Sequence, residues 1–245
     1  RIIRDLKKNR ITVLYITHYL EEVFAITDRL TILRDGRKVA TVLTSDVDLK
    51  YIVKMMIGEQ IAEASPPRAR RADGQEALRV EALSRRGVVE GVSFGARKGE
   101  ILGITGLLGA GKTETARLIF GADRPDSGKI YIENQPCRIG SPVDALKYGI
   151  GMLPEDRKSL GLILNHELYK NISIAALKRF AAGLMLIRSK ELAAITRMVE
   201  QLDIKATGPN QLVKFLSGGN QQKVVIGKWL LLEPRILIMD EPTRG

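Results

Sequence analysis

The sequence predicts an α/β protein with a parallel core, and three stretches carry the prediction. The apolar run Ile101-Leu102-Gly103-Ile104 leads into Gly106-Leu107-Leu108-Gly109-Ala110-Gly111-Lys112-Thr113 and then into the helix-prone Glu114-Thr115-Ala116-Arg117-Leu118, giving strand, glycine-rich loop and helix. Leu216-Ser217-Gly218-Gly219-Asn220-Gln221-Gln222-Lys223 opens an apolar helix, Val224 to Leu232. Ile236-Leu237-Ile238-Met239 reads as a strand that finishes in Asp240-Glu241.

The glycine-rich stretch matches G-x-x-x-x-G-K-[ST] at every fixed position. Glycines let backbone N–H groups approach phosphate oxygens, with a helix N-terminus behind them. Lys112 is then placed to neutralise terminal phosphates, and the Thr113 hydroxyl to coordinate Mg²⁺. The adjacent carboxylates at the end of the later strand give Asp240 for Mg²⁺ and Glu241 to orient or deprotonate water. Ser217, Gly218 and Gly219 at a helix start form a second anion site by the same backbone logic, or a plain helix cap.

Composition narrows the class. The chain has 245 residues, of which 44% are hydrophobic, enough for one large domain or two small ones with a packed core. Its single cysteine, Cys137, rules out a disulfide framework, and no Cys and His residues stand at zinc-ligand spacing. No run approaches the ~20 apolar residues of a membrane helix. The net charge of +11 is dispersed apart from Arg68-Ala69-Arg70-Arg71, and only 5% of residues are aromatic, which argues against nucleic acid as a partner.

In chain order, residues 1–8 have the apolar spacing of a helix face, and Val13-Leu14-Tyr15-Ile16-Thr17 reads as a buried strand followed at once by His18. Open α/β sheets place ligand-contacting groups just past strand ends, although His18 taken alone reads better as structural. Tyr19 to Thr27 is expected to be a short helix, and Asp35-Gly36 between two alternating runs signals a two-residue hairpin. Leu49, Ile52, Val53, Met56 and Ile57 form one helical stripe. Residues 58–76 lose all periodicity and read as a linker, so that 1–57 and 77–245 are expected to be separate domains.

The second domain is expected to open with antiparallel strands over Ala77 to Leu83 and Val92 to Phe94. After the phosphate-loop helix come a turn at Asp126-Ser127-Gly128, a strand over 129–132, and a helix at Ser141-Pro142 with proline in its first turn. A strand at 149–153 then leads to the polar patch Glu155-Asp156-Arg157-Lys158. Periodic apolar residues between about 160 and 215 predict a helical insert, with His166 on its surface or as a cap.

The loop, the Leu216 to Gln222 stretch and the carboxylate strand, in this order and spacing, resemble ATP-binding cassette (ABC) ATPases, P-loop NTPases with an antiparallel β-subdomain and a helical subdomain. Leu216-Ser217-Gly218-Gly219 is similar to that family's signature. With Pro154-Glu155-Asp156-Arg157-Lys158 and Glu241-Pro242-Thr243-Arg244-Gly245, the chain resembles the second cassette of tandem-cassette subunits of bacterial monosaccharide importers of the ribose, xylose and galactose type. Residues 1–57, with Ile16-Thr17-His18, are similar to the end of the first cassette, so the chain is expected to be a segment of a longer subunit.

The resemblance implies ATP and Mg²⁺ as ligands and a catalytic pair of Glu241 and the switch histidine His18. It further implies ATP contacts from Gly106 to Thr113, Glu155, Ser217, Gly218, Gly219 and Gln221, and metal contacts from Thr113, Asp240 and Glu155. The implied partners are transmembrane permease subunits, a second cassette of the same or a partner chain and, indirectly, an extracytoplasmic sugar-binding protein. The place of action is the cytoplasmic face of a bacterial plasma membrane.

In that family each ATP lies between the phosphate loop of one cassette and the signature of another. Neither composite site is therefore complete here, and the chain alone is expected to bind nucleotide but hydrolyse it poorly. Glu155 stands where the family usually has Gln, and no aromatic residue stands near Arg85-Arg86-Gly87. A regulatory cassette with little turnover, or a soluble cassette acting on ribosomes or DNA, are the competing readings. The strand leading to the switch histidine normally shares a sheet with a carboxylate strand, so residues 11–34 are expected to pair beside Ile236 to Asp240, as in a permuted cassette.

Overall fold

The computed structural model describes residues 2–17, 19–57, 74–183 and 185–242. In order, the elements are α1 (Ile2–Lys8), β1 (Thr12–Ile16), α2 (Leu20–Ile26), β2 (Arg29–Arg34), β3 (Arg37–Leu43), α3 (Leu49–Ile57), β4 (Glu76–Arg85), β5 (Val89–Arg97), β6 (Ile101–Gly106) and α4 (Lys112–Phe120). These are followed by β7 (Ser127–Ile132), β8 (Gln135–Cys137), α5 (Pro142–Lys147), β9 (Ile150–Leu153), α6 (Leu168–Ser173), β10 (Ala181–Ala182), β11 (Met185–Leu186), α7 (Arg188–Gln201), α8 (Gly218–Leu230) and β12 (Ile236–Asp240). They form two compact units, one of residues up to 152 with 235–241, the other of residues 153–234.

The first unit holds a six-stranded sheet in the order β3-β2-β6-β1-β12-β9 and a four-stranded antiparallel sheet in the order β5-β4-β7-β8. In the larger sheet β2, β6, β1 and β12 run parallel, and β3 closes one edge as an antiparallel hairpin partner of β2. Central parallel strands are covered on both faces, which is why they read as continuous apolar runs rather than alternating ones. All five residues of β1 and all five of β12 are buried.

β1 lies between the strand that enters the phosphate loop and the strand that ends in the carboxylates. Leu14 stands opposite Leu102 on one side and Ile238 on the other. Of residues 11–34, β1 pairs beside 236–240 as expected, whereas β2 pairs with β6 and β3. Residues 2–57 do not stand apart from those after 76: the compact units divide near residue 153, not at the 58–76 boundary, most of which lies outside the described residues. Parallel pairing between distant strands leaves no local sequence mark, and this explains the difference.

Polar contacts fix the same seam. The Thr12 hydroxyl donates to the Arg97 carbonyl at 2.8 Å and accepts from the Gly99 N–H at 2.8 Å. Asp28 accepts from the Ile101 N–H at 3.1 Å, and Arg29 pairs with Glu100 at 2.7 Å, both side chains largely shielded. On one side of this segment, Val23 and the α3 residues Ile52 and Met56 pack against Leu30, Ile32 and Val42.

The second unit is the expected helical insert, extended to include α8. Leu168, Ile172, Phe180, Ile195, Leu202, Val224 and Val225 are buried. Gly227 permits close approach of α7 and α8: a Cβ there would lie 3.1 Å from Met198 and 3.2 Å from Leu202. Lys228 is turned inward and donates to the Gly161 carbonyl at 2.7 Å, and burial pulls its amine down to about 8. Asn171 bridges the Ile163 N–H and carbonyl, at 2.8 and 3.0 Å, and holds the connection from 163 to 167, where His166 is exposed. The small β10–β11 pair was not foreseen; it has two residues on each side.

Candidate functional site

The phosphate loop is set by backbone geometry. Gly106 ends β6 at a point where a Cβ would lie 2.2 Å from the Leu33 carbonyl oxygen, so the neighbouring strand β2 forbids any side chain there. Gly109 and Gly111 have φ of 78° and 84°, the left-handed region glycine enters freely. Gly111 is the N-cap of α4, and the Thr115 hydroxyl donates to its carbonyl at 2.7 Å. Leu107 and Leu108 are exposed, while Ala110 is buried and its N–H donates to the Leu107 carbonyl at 3.1 Å.

Lys112 folds back over the loop. Its Nζ donates to the Gly106 and Leu107 carbonyls at 3.0 and 2.9 Å, and the residue is buried. Desolvation lowers its pKa, against the opposing pull of Glu241 and Asp240. An ammonium already held within the loop's concave side is preorganised for anionic ligand oxygens.

β12 carries the carboxylates to the same place. Asp240 has no exposed surface, and neither carboxylate oxygen has a hydrogen bond of normal geometry. Burial pushes its pKa up to about 6, the nearby Thr113 hydroxyl and Lys112 favouring the ionised form and Glu241 and Glu114 opposing it. Glu241 is buried, its N–H donates to the Ile16 carbonyl at 2.7 Å, and its φ is 41°, an unfavourable conformation for a glutamate. Backbone strain of this kind concentrates at functional sites.

The donor set fits magnesium. A buried carboxylate and a neighbouring hydroxyl are hard oxygen donors, and Mg²⁺ is commonly held by one or two carboxylates together with ligand phosphates. Among the described residues no group of three or more His, Cys, Asp or Glu forms an all-protein cage, so such a metal would need further oxygens from nucleotide and water.

Asp240 yields a pH prediction. Its folded pKa lies above the unfolded value of 3.8, so the ionised carboxylate costs stability above pH about 6 and that cost fades as pH falls toward 3.8. Asp240→Asn is therefore expected to stabilise the metal-free chain at pH 8 by about 1 to 3 kcal/mol, shrinking toward zero near pH 4. Urea unfolding of both proteins across this range measures the difference; a constant difference would contradict the assignment.

The first unit thus brings together Gly106 to Thr113, Asp240 and Glu241. Glu155, Ser217, Gly218, Gly219 and Gln221 belong to the second unit, and His18 lies outside the described residues. Ser217 caps α8, accepting from the Asn220 N–H at 3.4 Å, and Ser217 and Gly219 are exposed. Gln221 is buried, and its Nε2 donates to the Val213 carbonyl at 3.2 Å while its Oε1 makes no hydrogen bond among the described residues. Glu155 is half-buried just after β9.

Beside the loop lies a cavity of 820 Å³ bordered by Arg86, Gly87, Val88, Gly109 and Glu114, with Asp35 of the β2–β3 turn on its wall. The Arg86 N–H donates to Asp126 at 2.7 Å, and Arg117 and Arg85 both pair with Asp123, so the strand edge here is anchored to the end of α4. Arg117 in particular holds the Asp123 carboxyl below its ordinary value. The part taken by Asp35 and Gly36 was not foreseen, since their sequence signal was that of a hairpin turn alone.

Comparison with known proteins gives a consistent picture. A family model described as ABC transporter matches residues 89–244. The chain is similar to a ribose import ATP-binding protein RbsA of Geobacillus kaustophilus, 48% identical over 244 residues, and to that of Bacillus subtilis, 42% identical over 244 residues. Each alignment covers 100% of this chain and 49% of the relative, so the chain spans about half the length of these proteins. Among solved structures, it is similar to a nucleotide-free ATP-binding cassette from an ABC transporter, with TM-score 0.56, 25% identity, and coverage of 68% of this chain and 69% of that one. CbiO1 of Clostridium perfringens gives TM-score 0.57 at 25% identity, covering 70% and 67%. Among the described residues no helix is long and apolar enough to cross a membrane.

Proposed function

Because the chain belongs to the ABC transporter family, we propose that it is the nucleotide-handling part of an ATP-hydrolysing subunit that energises import of a monosaccharide through a membrane permease. The observation that carries this reading is the meeting of Lys112, Thr113, Asp240 and Glu241 around one phosphate-type loop. The import names of relatives at 42 to 48% identity supply the substrate class, a pentose or related sugar.

Loop N–H groups and Lys112 bind and orient the terminal phosphates, and the Lys112 charge offsets the negative charge that develops there. Asp240 and Thr113 would hold Mg²⁺, which would supply positive charge to the phosphate oxygens. Glu241, with its carboxylate at the end of β12, positions the attacking water and accepts its proton at Oε. Ser217, Gly218 and Gly219 serve the γ-phosphate of a site shared with a second cassette, on the same or a partner chain. His18 and Glu155 complete such shared sites. Work against permease chains places the subunit at the cytoplasmic face of the membrane, with an extracytoplasmic sugar-binding protein delivering the cargo.

The test is ATP hydrolysis by the complete subunit reconstituted with its permease and binding protein across a panel of sugars. The reading expects turnover to rise with one or a few monosaccharides. Turnover indifferent to every sugar would refute the import role, and failure of the chain to bind Mg-ATP would refute the nucleotide role.

A further inference from the structure

We propose that the Asp35–Gly36 turn is a positioning element of the phosphate loop, with Gly36 the residue through which it acts; this rests on the nucleotide reading above. The turn lies some seventy residues before the loop in sequence, and its only sequence signal was that of a hairpin. In the fold it abuts the loop directly.

The Gly36 N–H donates to the carbonyl of Ala110, within the loop, at 3.1 Å. The Gly36 carbonyl in turn accepts from the Glu90 N–H at 2.8 Å, so one residue links the loop to the start of β5. Gly36 has φ of 72°, and a Cβ placed on it would lie 2.4 Å from the Val88 carbonyl oxygen. On the loop side, a Cβ on Gly111 would lie 3.1 Å from the Gly36 Cα and 2.9 Å from the same Val88 oxygen. Backbone from three stretches therefore meets here, and neither Gly36 nor Gly111 has space for a side chain.

Earlier in the same hairpin, Leu33 stands opposite Gly106 in the β2–β6 register, where a Cβ on Gly106 would collide with the Leu33 carbonyl. The hairpin thus backs the loop from its first glycine to its last. The loop binds phosphate through N–H directions, and those directions follow from how its carbonyls are held. Fixing the Ala110 carbonyl fixes the peptide plane whose other end is the Gly111 N–H. Loss of the Gly36 bond frees that plane to rotate, and a shift of about 1 Å in a positioning group is enough to weaken binding strongly.

The test uses the full chain with Mg-ATP, and Mg-tripolyphosphate as a ligand without a base. Gly36→Val is expected to raise the dissociation constants of both ligands by about tenfold or more, with Gly36→Ala between it and the wild type. Because Gly36→Val can also impair folding, hydrogen exchange in the wild-type chain supplies the second measurement. Saturating Mg-ATP should slow exchange of the Gly36 amide by about tenfold or more while the Val42 amide, in the same hairpin, changes by less than about twofold. A Gly36 amide indifferent to Mg-ATP while the amides of 109–112 slow would overturn the inference and leave the nucleotide reading standing. A wild-type chain that binds neither ligand would overturn both.

Discussion

Glu241→Gln in the complete subunit lowers single-turnover phosphate release from Mg-ATP by about 10²- to 10⁴-fold, the span a positioned general base supplies, and leaves ATP affinity within about threefold of the wild type. The substitution keeps the shape and the buried setting of a side chain at the end of β12 and removes only its capacity to accept a proton. Its backbone is held at φ 41° by the 2.7 Å bond from its N–H to the Ile16 carbonyl, so the glutamine inherits the same placement. The paired change Lys112→Ala separates roles. It removes the ammonium that binds the Gly106 and Leu107 carbonyls, and its loss should appear in affinity as well as rate. Phosphate release unchanged by Glu241→Gln would assign the proton to another group.

Leu14→Ala destabilises the first unit by about 2 to 5 kcal/mol, the range for truncating a fully buried leucine. Leu14 is 1% exposed and is flanked in the sheet by Leu102 and Ile238, one on each side. The cavity opens between the strand entering the phosphate loop and the strand bearing Asp240, so nucleotide affinity should fall together with the urea midpoint. Leu49→Ala, at a residue 50% exposed, should cost less than about 0.5 kcal/mol and serves as the comparison. Equal effects of the two substitutions would mean that β1 is not the central strand.

Local chemistry was legible in the sequence. The strand–loop–helix around Lys112, the Asp35-Gly36 hairpin, the Ser141 cap with Pro142, and the carboxylates after Met239 each rest on contacts within a few residues, where residue type fixes conformation. The pairing of 11–34 beside 236–240 followed from resemblance, and β1 indeed pairs with β12, but its other neighbour, β6, had no mark in the sequence. Gln221 shows a further limit. Its bond to the Val213 carbonyl depends on how the preceding segment packs, which leaves no mark in the sequence. The β10–β11 pair, two residues on each side of a turn, is too short to leave a period.

The placement of β1 also governs how the chain is made. Thr12 pairs with Ile236 and Val13 with Ile101, so the middle of the larger sheet joins segments from nearly opposite ends of the described chain. Contacts of such long sequence separation form slowly, and synthesis proceeds from the N-terminus. An apolar strand made this long before its partner must therefore wait, with one edge unpaired, until β12 leaves the ribosome. During translation this segment is a natural client for a chaperone that shields extended apolar chain, and slowing elongation before β12 would lengthen its exposure.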